Sequence, residues 1–242
     1  MSIIIISDLH LDSESDFVSN GFQRFLDEIC LKKAEKLYIL GDFFEAWIGD
    51  DYQPEWIKKI ILALQKLIKS GTNIFLMRGN RDFLIGTTLC EQIGCTLIED
   101  IYLLPLKKGN ILMMHGDLLC TEDKEYQSFR LTVRELAWQK NFLLKPLHER
   151  LNIAKHLREA SIQSNQTKNQ NVLDVTEQSV LEVCTHYNVK NMIHGHTHKP
   201  KKHEYKIRNE ILSRWVLSDW HKIVSYVEIN MKEEISLKSF PL

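Results

Sequence analysis

The stretch Ile3-Ile4-Ile5-Ile6-Ser7-Asp8-Leu9-His10 joins a run of four apolar residues to a carboxylate and an imidazole. Three more apolar runs of four are each followed closely by polar side chains. They are Leu37 to Leu40, Ile74 to Met77 and Ile111 to Met114. Continuous apolar runs of this length predict strands that are buried on both faces of a sheet.

Helical patterns lie between the predicted strands. Phe22, Phe25, Leu26 and Ile29 recur at helical spacing, and a longer pattern begins after Pro54 and ends before Gly71. Near the end of the chain, Ile223–Ile229 and Ile235–Leu237 predict two closing strands. Strands that alternate with helices in this way predict a layered α/β fold.

The stretch from Lys124 to Lys168 is helical in pattern throughout and has no strand signal. It contains nine Lys or Arg against four Asp or Glu, and it is rich in Phe, Trp and Leu. Two interpretations stay open: a basic, apolar helical insertion, or an ordinary amphipathic helical pair that covers the sheet. We expect an insertion over residues 124–170 within a single domain of residues 1–242. A following helix is expected to start at Asp174, in a capping box with Glu177.

Composition limits the class of protein. The 242 residues are 44% hydrophobic and 26% charged, which is typical of a folded globular chain, and the net charge of -1 gives no reason to expect nucleic-acid binding. Five cysteines without a Cys-x-x-Cys pair are typical of reduced thiols. Neither a signal peptide nor a membrane span is evident, so we expect a cytoplasmic protein.

Five short motifs carry the candidate chemistry, and each directly follows an apolar run. They are Asp8-Leu9-His10, Gly41-Asp42, Gly79-Asn80-Arg81-Asp82, His115-Gly116-Asp117 and His194-Gly195-His196-Thr197-His198. Ligands of α/β sheets bind at the carboxyl ends of the strands, where these motifs are expected to meet. The spacing of two between Asp8 and His10 predicts that both side chains point the same way from one extended segment.

Each motif alone is a weak signal, because a single His or a Gly-Asp pair is usually structural. Together they provide carboxylates, imidazoles and an amide oxygen. That set of ligands suits Mn²⁺, Fe²⁺ or Zn²⁺ better than thiol-seeking ions. The sequence therefore predicts a divalent metal site.

The ordered motifs resemble the calcineurin-like metallophosphoesterase superfamily over Ser7 to Lys199. The resemblance implies a two-layered β-sandwich flanked by helices, and two metal ions that activate water for attack on phosphorus. It implies one metal ion held by Asp8, His10, Asp42 and His198, and a second held by Asp42, Asn80, His115 and His196. The catalytic residues would then be Asp42, Asn80, Arg81, His115 and His196.

Arg81 departs from the superfamily pattern, which has His after the Gly-Asn pair. Arg remains protonated near neutral pH and cannot donate a proton to a leaving alkoxide. A leaving phosphate needs no such proton, because its last pKa is about 6, and the guanidinium can bind its charge. Arg81 therefore favours cleavage of a phosphoanhydride.

Several longer segments resemble one bacterial family, the UDP-2,3-diacylglucosamine diphosphatases of lipid A biosynthesis. They are Glu45 to Asp51, Gly79 to Leu84, His115 to Thr121 and His194 to Pro200. The resemblance implies a nucleotide-linked glycolipid as substrate, UMP and a 2,3-diacylglucosamine 1-phosphate as products, and Mn²⁺ as the metal. It implies substrate contacts by Asn80, Arg81, Asp123, Ser161, Asn165, Lys168 and His196. Peripheral contact with the inner membrane of a Gram-negative bacterium would follow, with the insertion as a lid over the acyl chains.

Three alternatives remain at this point. A general metallophosphoesterase would share the metal site but would not need Arg81 or the apolar insertion. A metal-free scaffold is disfavoured because all seven expected ligands are present. A nuclease is disfavoured by the near-neutral charge.

Overall fold

Each of the four apolar runs forms a strand in the computed structural model. The structure describes residues 2–13, 16–169, 172–207, 210–221 and 223–242, without the side chains of residues 16, 165 and 207. The strands are β1 (Ile3–Ile6), β2 (Lys36–Leu40), β3 (Asn73–Met77), β4 (Thr96–Ile98), β5 (Ile101–Leu104), β6 (Ile111–Met114), β7 (Asn191–His194), β8 (Lys201–Ile207), β9 (Glu210–Val216), β10 (Ile223–Ile229) and β11 (Ile235–Pro241). The helices are α1 (Asp16–Leu31), α2 (Glu55–Lys69), α3 (Thr87–Ile93), α4 (Lys124–Arg134), α5 (Leu136–Leu143), α6 (Leu147–Thr167) and α7 (Glu177–His186), and a 3₁₀ turn covers Asp117–Leu119.

The strands form two mixed sheets. One has the order β11-β10-β1-β2-β3-β4 and the other has the order β5-β6-β7-β9-β8. In the first sheet β1, β2, β3 and β4 are parallel. In the second sheet β6, β7 and β9 are parallel. The carboxyl ends of β1, β2 and β3 therefore share one edge of their sheet, as those of β6 and β7 do in theirs.

Apolar side chains of both faces are buried, as the runs of four predict. Ile3 and Ile5 of β1 pack between the two sheets with Met113 of β6. Ile4 and Ile6 point the other way, into the cluster that contains the apolar faces of α1, α2 and α3. Helix α7 covers the outer face of the second sheet in the same way. The fold is therefore the expected two-layered β-sandwich flanked by helices.

Helix α2 shows how the sequence determines an element of this fold. Its five buried aliphatic side chains lie on one face, namely Ile57, Ile60, Ile61, Leu64 and Leu67. Burying each of them stabilises the fold by about 1.5–3 kcal/mol. Pro54 precedes the first turn, where a missing N–H costs nothing, and Gly71 follows the helix with a φ of 107°.

Three helices, α4 to α6, occupy residues 124–167. Buried Arg150 of α6 donates hydrogen bonds to the carbonyl oxygen of Ile48 at 2.7 Å and to Asp51 Oδ1 at 2.8 Å. Trp138 and Phe142 of α5 stack with ring centroids 5.1 Å apart and pack against the helical side of the first sheet. The expected end of the insertion at residue 170 lies outside the described residues, so its bounds stay a prediction.

Some expectations about the elements were wrong. The capping box of Asp174 and Glu177 does not form, because Thr176 caps α7 by accepting a hydrogen bond from Ser179 N at 3.2 Å. Asp174 instead pairs with Lys199 Nζ at 2.7 Å. The last strand is also longer than expected and ends at Pro241. Strands β4, β5, β8 and β9 were not predicted; β8 is a polar edge strand, whose sequence carries little apolar signal.

Candidate metal centre and active site

The carboxyl ends of β1, β2, β3, β6 and β7 bring all seven predicted metal ligands into one site. Asp8, His10 and His198 form its first group, with ligand atoms that all lie within 4.8 Å of one another. Nε2 of His198 lies 3.3 Å from Asp8 Oδ1 and 3.4 Å from Nε2 of His10. Asp8 is completely buried. This group has the ligand types and the spacing of a divalent metal site.

The second group contains Asn80, His115 and His196. Asn80 Oδ1 lies 2.8 Å from both His115 Nε2 and His196 Nδ1. Asp42 lies between the two groups, since its Oδ1 is 3.6 Å from His115 Nε2 and its Oδ2 is 3.8 Å from His10 Nε2. The two oxygens of Asp42 can therefore serve both groups, as the resemblance implies.

A hydrogen bond or a nearby carboxylate on the far side of each of three imidazole rings accompanies its ligand nitrogen. His115 Nδ1 donates to the carbonyl oxygen of Leu40 at 2.9 Å, so Nε2 of the neutral ring has a free lone pair. Nδ1 of His10 lies 3.0 Å from Glu45 Oε2, and Nδ1 of His198 lies 3.4 Å from Asp219 Oδ2. Each ring thus turns its Nε2 toward the buried carboxylates.

Close contacts between potential ligand atoms support the metal interpretation. Nε2 of His115 lies 2.8 Å from Asn80 Oδ1. Nε2 atoms of His10 and His198 face each other at 3.4 Å. A bound divalent cation would take the place of protons on these nitrogens and draw on the lone pairs of each group. The residues present therefore fit divalent metal ions.

The electrostatics of the site also favour cations. Burial alone would lower the pKa of His198, but the carboxylates of Asp219 and Asp8 raise it to about 10. Burial works in the same direction on His115, yet Asp42 and Asp8 raise its pKa as well. Conversely, burial would raise the pKa of Asp8, but the neighbouring histidines hold it well below its usual value. The carboxylates thus create a negative potential that divalent ions would neutralise.

His196 is an exception, because burial and the neighbouring His115 lower its pKa to about 4. Its ring therefore stays neutral near pH 7, which is the form that binds a metal.

The backbone that carries the ligands is strained. Asp8, His10, Asp42, His196 and His198 have φ values of 57°, 52°, 49°, 65° and 54°. The expectation that Asp8 and His10 share an extended segment was therefore wrong, since both adopt the left-handed region. Such conformations cost about 1–3 kcal/mol each and persist where surrounding contacts hold them, commonly at active sites.

Buried Asp82 holds two of these loops together. Its carboxylate accepts hydrogen bonds from the backbone N–H groups of Gly79 at 2.6 Å, Phe43 at 2.8 Å and Asp42 at 3.2 Å. Burial and the charge of Asp42 raise the pKa of Asp82 to about 6, although the N–H groups favour its charged form. In the same region Arg81 N donates to Asp42 Oδ1 at 2.8 Å. The loops after β2 and β3 are thereby fixed relative to each other.

A cavity of about 530 Å³ opens beside the metal-ligand groups. His10, Asp42, Asn80, His196 and His198 line one end. Most of the remaining wall is apolar and includes Trp47, Phe83, Leu84, Phe129, Trp138, Phe142, Ala154 and Leu157. The cavity therefore joins a polar, metal-ligating end to an apolar wall built largely by α4 to α6.

The predicted substrate-binding residues lie along this cavity wherever they are described. Arg81, Asp123, Ser161 and Lys168 line it, and Lys168 Nζ donates to Asp123 Oδ1 at 2.6 Å. The guanidinium of Arg81 makes no hydrogen bond or ion pair with the described residues. The side chain of Asn165 lies outside the described part of the chain, so its role stays a prediction.

Three residues that support the site were not predicted from the sequence. Glu45, Asp82 and Asp117 are parts of quoted motifs, but they were given no role. Asp117 is buried, accepts hydrogen bonds from Tyr126 Oη at 2.5 Å and Arg130 Nε at 2.7 Å, and its pKa is held low by His115 and Arg130 against the effect of burial. Nothing in a single sequence indicates that Arg130 or Asp219 is close to the metal ligands.

Comparisons with known proteins agree with the geometry. The profile of the calcineurin-like phosphoesterases matches residues 1–200. The chain therefore belongs to the calcineurin-like phosphoesterase family. An archaeal phosphodiesterase has a similar fold, with a TM-score of 0.52 at 14% identity over 99% of this chain and 100% of that one. A dimetal phosphatase from Danio rerio has a TM-score of 0.50 at 11% identity over 99% and 95% of the two chains.

Curated relatives narrow the comparison to one group within the family. The UDP-2,3-diacylglucosamine hydrolase of Marinobacter nauticus is 42% identical over 242 residues, which are 100% of this chain and 99% of that protein. Proteins of the same name from Pectobacterium carotovorum and Salmonella arizonae are 42% and 40% identical over 100% of both chains. The similarity thus includes the helical stretch of residues 124–167 as well as the metal ligands.

Proposed function

We propose that the chain hydrolyses the pyrophosphate bond of UDP-2,3-diacylglucosamine, with water attacking the α-phosphorus, to give UMP and 2,3-diacylglucosamine 1-phosphate (lipid X) in lipid A biosynthesis. The full-length similarity to hydrolases named for this substrate supports the proposal. The observation that carries it in the structure is the cavity, which joins metal ligands to an apolar wall. A soluble phosphoester would bind at the metal ligands but would make no contact that needs the apolar wall.

The apolar wall suits the acyl chains of the substrate. Aromatic side chains of Trp47, Phe83, Phe129, Trp138 and Phe142 contribute to it. Each methylene group that leaves water for such a surface contributes about 0.8 kcal/mol to binding. Two acyl chains can therefore supply most of the binding energy, which positions the diphosphate at the polar end.

Two bound divalent ions would activate water and neutralise charge on the phosphate oxygens. Asp8, His10, Asp42 and His198 would hold one of them, and Asp42, Asn80, His115 and His196 would hold the other. We propose Mn²⁺ as the physiological ion, because carboxylate, imidazole and amide ligands suit it.

Arg81 would bind the departing lipid phosphate. Its guanidinium has no partner among the described residues and lines the cavity next to Asn80. A bidentate pair of hydrogen bonds would stabilise the charge that develops on the leaving phosphate. No proton donor is needed at this position, because the leaving phosphate has a last pKa of about 6.

Asp123 and Lys168 would contact the glucosamine and its phosphate. They form an ion pair of 2.6 Å at the cavity wall, where Asp123 is buried. Burial would lower the pKa of Lys168, but Asp123 raises it, so the ammonium remains charged at the site. Ser161 lies on the same wall, and Asn165 is expected to join it one helical turn later.

We further propose that the chain works in the cytoplasm, at the inner membrane of a Gram-negative bacterium. The described helices include none that is long and apolar enough to cross a bilayer. Leu136, Leu143, Leu144, Leu147 and Leu151 are exposed on α5, α6 and their connection. Lys140 and Lys145 lie among these leucines in the sequence. Exposed apolar and basic residues together suit peripheral contact with an anionic membrane surface.

The proposed function is tested with chelator-stripped protein to which Mn²⁺ is added back. UDP-2,3-diacylglucosamine is offered beside UDP-glucose and bis(p-nitrophenyl) phosphate, and the release of UMP or nitrophenol is measured. We expect rapid, Mn²⁺-dependent release of UMP from the acylated substrate, and slow turnover of the other two. Equal turnover of all three would leave the metal site standing and would contradict the glycolipid assignment.

A further inference from the structure

We infer that a second groove, continuous with the main cavity, binds the uridine monophosphate half of the substrate. This inference rests on the proposed function, since it concerns the nucleotide half of the proposed substrate. The groove has a volume of about 310 Å³. Asp174, Thr197, Lys199, Lys201, His203 and Arg214 contribute polar side chains to its lining.

The groove adjoins the main cavity next to the candidate metal ligands. Thr197 and Lys199 line both the groove and the main cavity. Thr197 stands between His196 and His198 in the sequence, so it separates two candidate metal ligands. Thr197 and Lys199 therefore lie where the main cavity and the groove meet.

Arg214 gives the groove a buried positive charge. It is 6% exposed, and its guanidinium donates to Tyr205 Oη at 2.8 Å and to His194 Nε2 at 3.0 Å. Neither partner is an anion, and no carboxylate of the described residues lies within 4.0 Å of the guanidinium. A buried cation without a paired anion is costly, and hydrogen-bond acceptors of a bound ligand offset part of that cost.

Neighbouring side chains add to the positive potential. Lys201 and His203 lie on the same face of β8, because side chains alternate along a strand. His203 is directly opposite Arg214 in the antiparallel pair of β8 and β9. Burial, together with the charges of Arg214 and Lys201, lowers the pKa of His203. Asp174 is the one carboxylate in the described lining, and it already pairs with Lys199 at 2.7 Å.

These groups match the chemistry of uridine monophosphate. The positive potential of Lys199, Lys201 and Arg214 suits the acceptor-rich nucleoside next to the phosphate, which the metal centre would hold. Uracil carbonyl oxygens and ribose hydroxyls can accept hydrogen bonds from the same lysines and from His203, while Asp174 can accept one from the uracil N3–H. The groove thus offers donors for the acceptors of the nucleotide and a carboxylate for its uracil N3–H.

The test uses UMP and inorganic phosphate as probes, in calorimetric titrations of the full chain reconstituted with Mn²⁺. Lys201→Glu reverses a charge that lines the groove. Lys202→Glu is the matched control, because Lys202 is the next residue of β8, is exposed and points to the other face. We expect Lys201→Glu to weaken UMP binding about tenfold, the effect of losing one charge-assisted contact, while phosphate binding changes less than about twofold. Lys202→Glu should leave UMP binding unchanged.

Three results would overturn the inference: no UMP binding by the unmodified chain, equal UMP affinities in all three proteins, or equal weakening of UMP and phosphate. Hydrolysis of UDP-2,3-diacylglucosamine is measured in the same preparations. If glycolipid hydrolysis is normal but UMP binding is unaffected by Lys201→Glu, the groove is rejected as the nucleotide site and the proposed function is kept. The expected UMP pattern without hydrolysis of the glycolipid would reject the proposed substrate and keep the groove as a nucleotide site.

Discussion

Arg81 is the residue that favours cleavage of a phosphoanhydride at this site. It follows the ligand Asn80, and its backbone N–H holds Asp42 at 2.8 Å while its guanidinium lines the cavity. The backbone contact survives any substitution that keeps the N–H, so side-chain variants report on the guanidinium itself.

We predict that Arg81→Ala lowers kcat/KM for UDP-2,3-diacylglucosamine about a hundredfold, because one aligned donor group at a developing charge is lost. Hydrolysis of bis(p-nitrophenyl) phosphate should fall much less, since nitrophenolate leaves readily without help. Arg81→Lys keeps the positive charge but loses the two parallel N–H donors of the guanidinium. Its kcat/KM for the glycolipid should lie between those of the unmodified chain and Arg81→Ala. Equal losses on both substrates would show that Arg81 supports the metal centre and has no role toward the leaving group.

His194 precedes the ligand loop and is fully buried. Because Arg214 can only donate, His194 Nε2 accepts from it and His194 Nδ1–H donates to Gly195 O at 2.8 Å. Burial and the charge of Arg214 lower the pKa of His194 to about 3. The fold therefore stabilises the neutral ring. The contribution of neutral His194 to the free energy of unfolding is complete above the pKa of the unfolded chain, about 6.5. It is lost as the pH falls toward the pKa of His194 in the folded protein.

In chelator-stripped protein, the free energy of unfolding should therefore fall between pH 6.5 and 4, with up to about 1.4 kcal/mol per pH unit from this one group. His194→Gln retains an acceptor for Arg214 and does not titrate. Urea unfolding at a series of pH values should show a shallower decline for the variant. Parallel curves for the two proteins would show that His194 does not carry the acid sensitivity.

Helix α6 depends on Arg150 for its attachment to the core. Arg150 is 3% exposed and bonds to Ile48 O and to Asp51, in the segment that follows β2. Without the guanidinium, the buried carbonyl of Ile48 loses its partner, at a cost of about 1–3 kcal/mol. Because α6 carries Ser161 and lines the cavity, the loss should reach the substrate site as well.

We predict that Arg150→Met lowers the melting temperature and raises KM for the acylated substrate, while turnover of bis(p-nitrophenyl) phosphate stays close to normal. Lys155→Met, at an exposed position of the same helix, is the matched control and should change neither quantity. If both substrates lost turnover equally in Arg150→Met, the helix would be needed for the metal centre itself, contrary to this account.

At the scale of elements, the sequence predicts strands better when both faces are buried. The four apolar runs and the motifs after them place five of the seven candidate metal ligands, because parallel strands end at a common edge. The fifth motif adds His196 and His198 after β7. The polar edge strand β8 and the left-handed φ values of Asp8 and His10 could not be predicted, since both depend on tertiary neighbours. The roles of Arg130 and Asp219 depend on tertiary contacts with Asp117 and His198, which no local sequence pattern predicts.

At the scale of the whole molecule, the exposed leucines of α5 and α6 are the candidate membrane contact. We predict that Leu144→Glu reduces co-sedimentation with vesicles of anionic phospholipid by severalfold, because it replaces a 76% exposed apolar side chain by a charge that the membrane repels. Leu31→Glu is the matched control: Leu31 is 84% exposed, but it ends α1, outside the helical stretch. Equal binding of all three proteins would reject this surface as the membrane contact.

The central claim is that Asp42 joins two metal ions into one hydrolytic centre. The most direct measurement is the metal content of chelator-stripped protein after dialysis against Mn²⁺, determined for the unmodified chain and for Asp42→Ala together with UMP release. The account predicts about two Mn²⁺ per chain for the unmodified protein. For Asp42→Ala it predicts a reduced content and a loss of turnover by orders of magnitude. An Asp42→Ala variant with full metal content and full activity would contradict it.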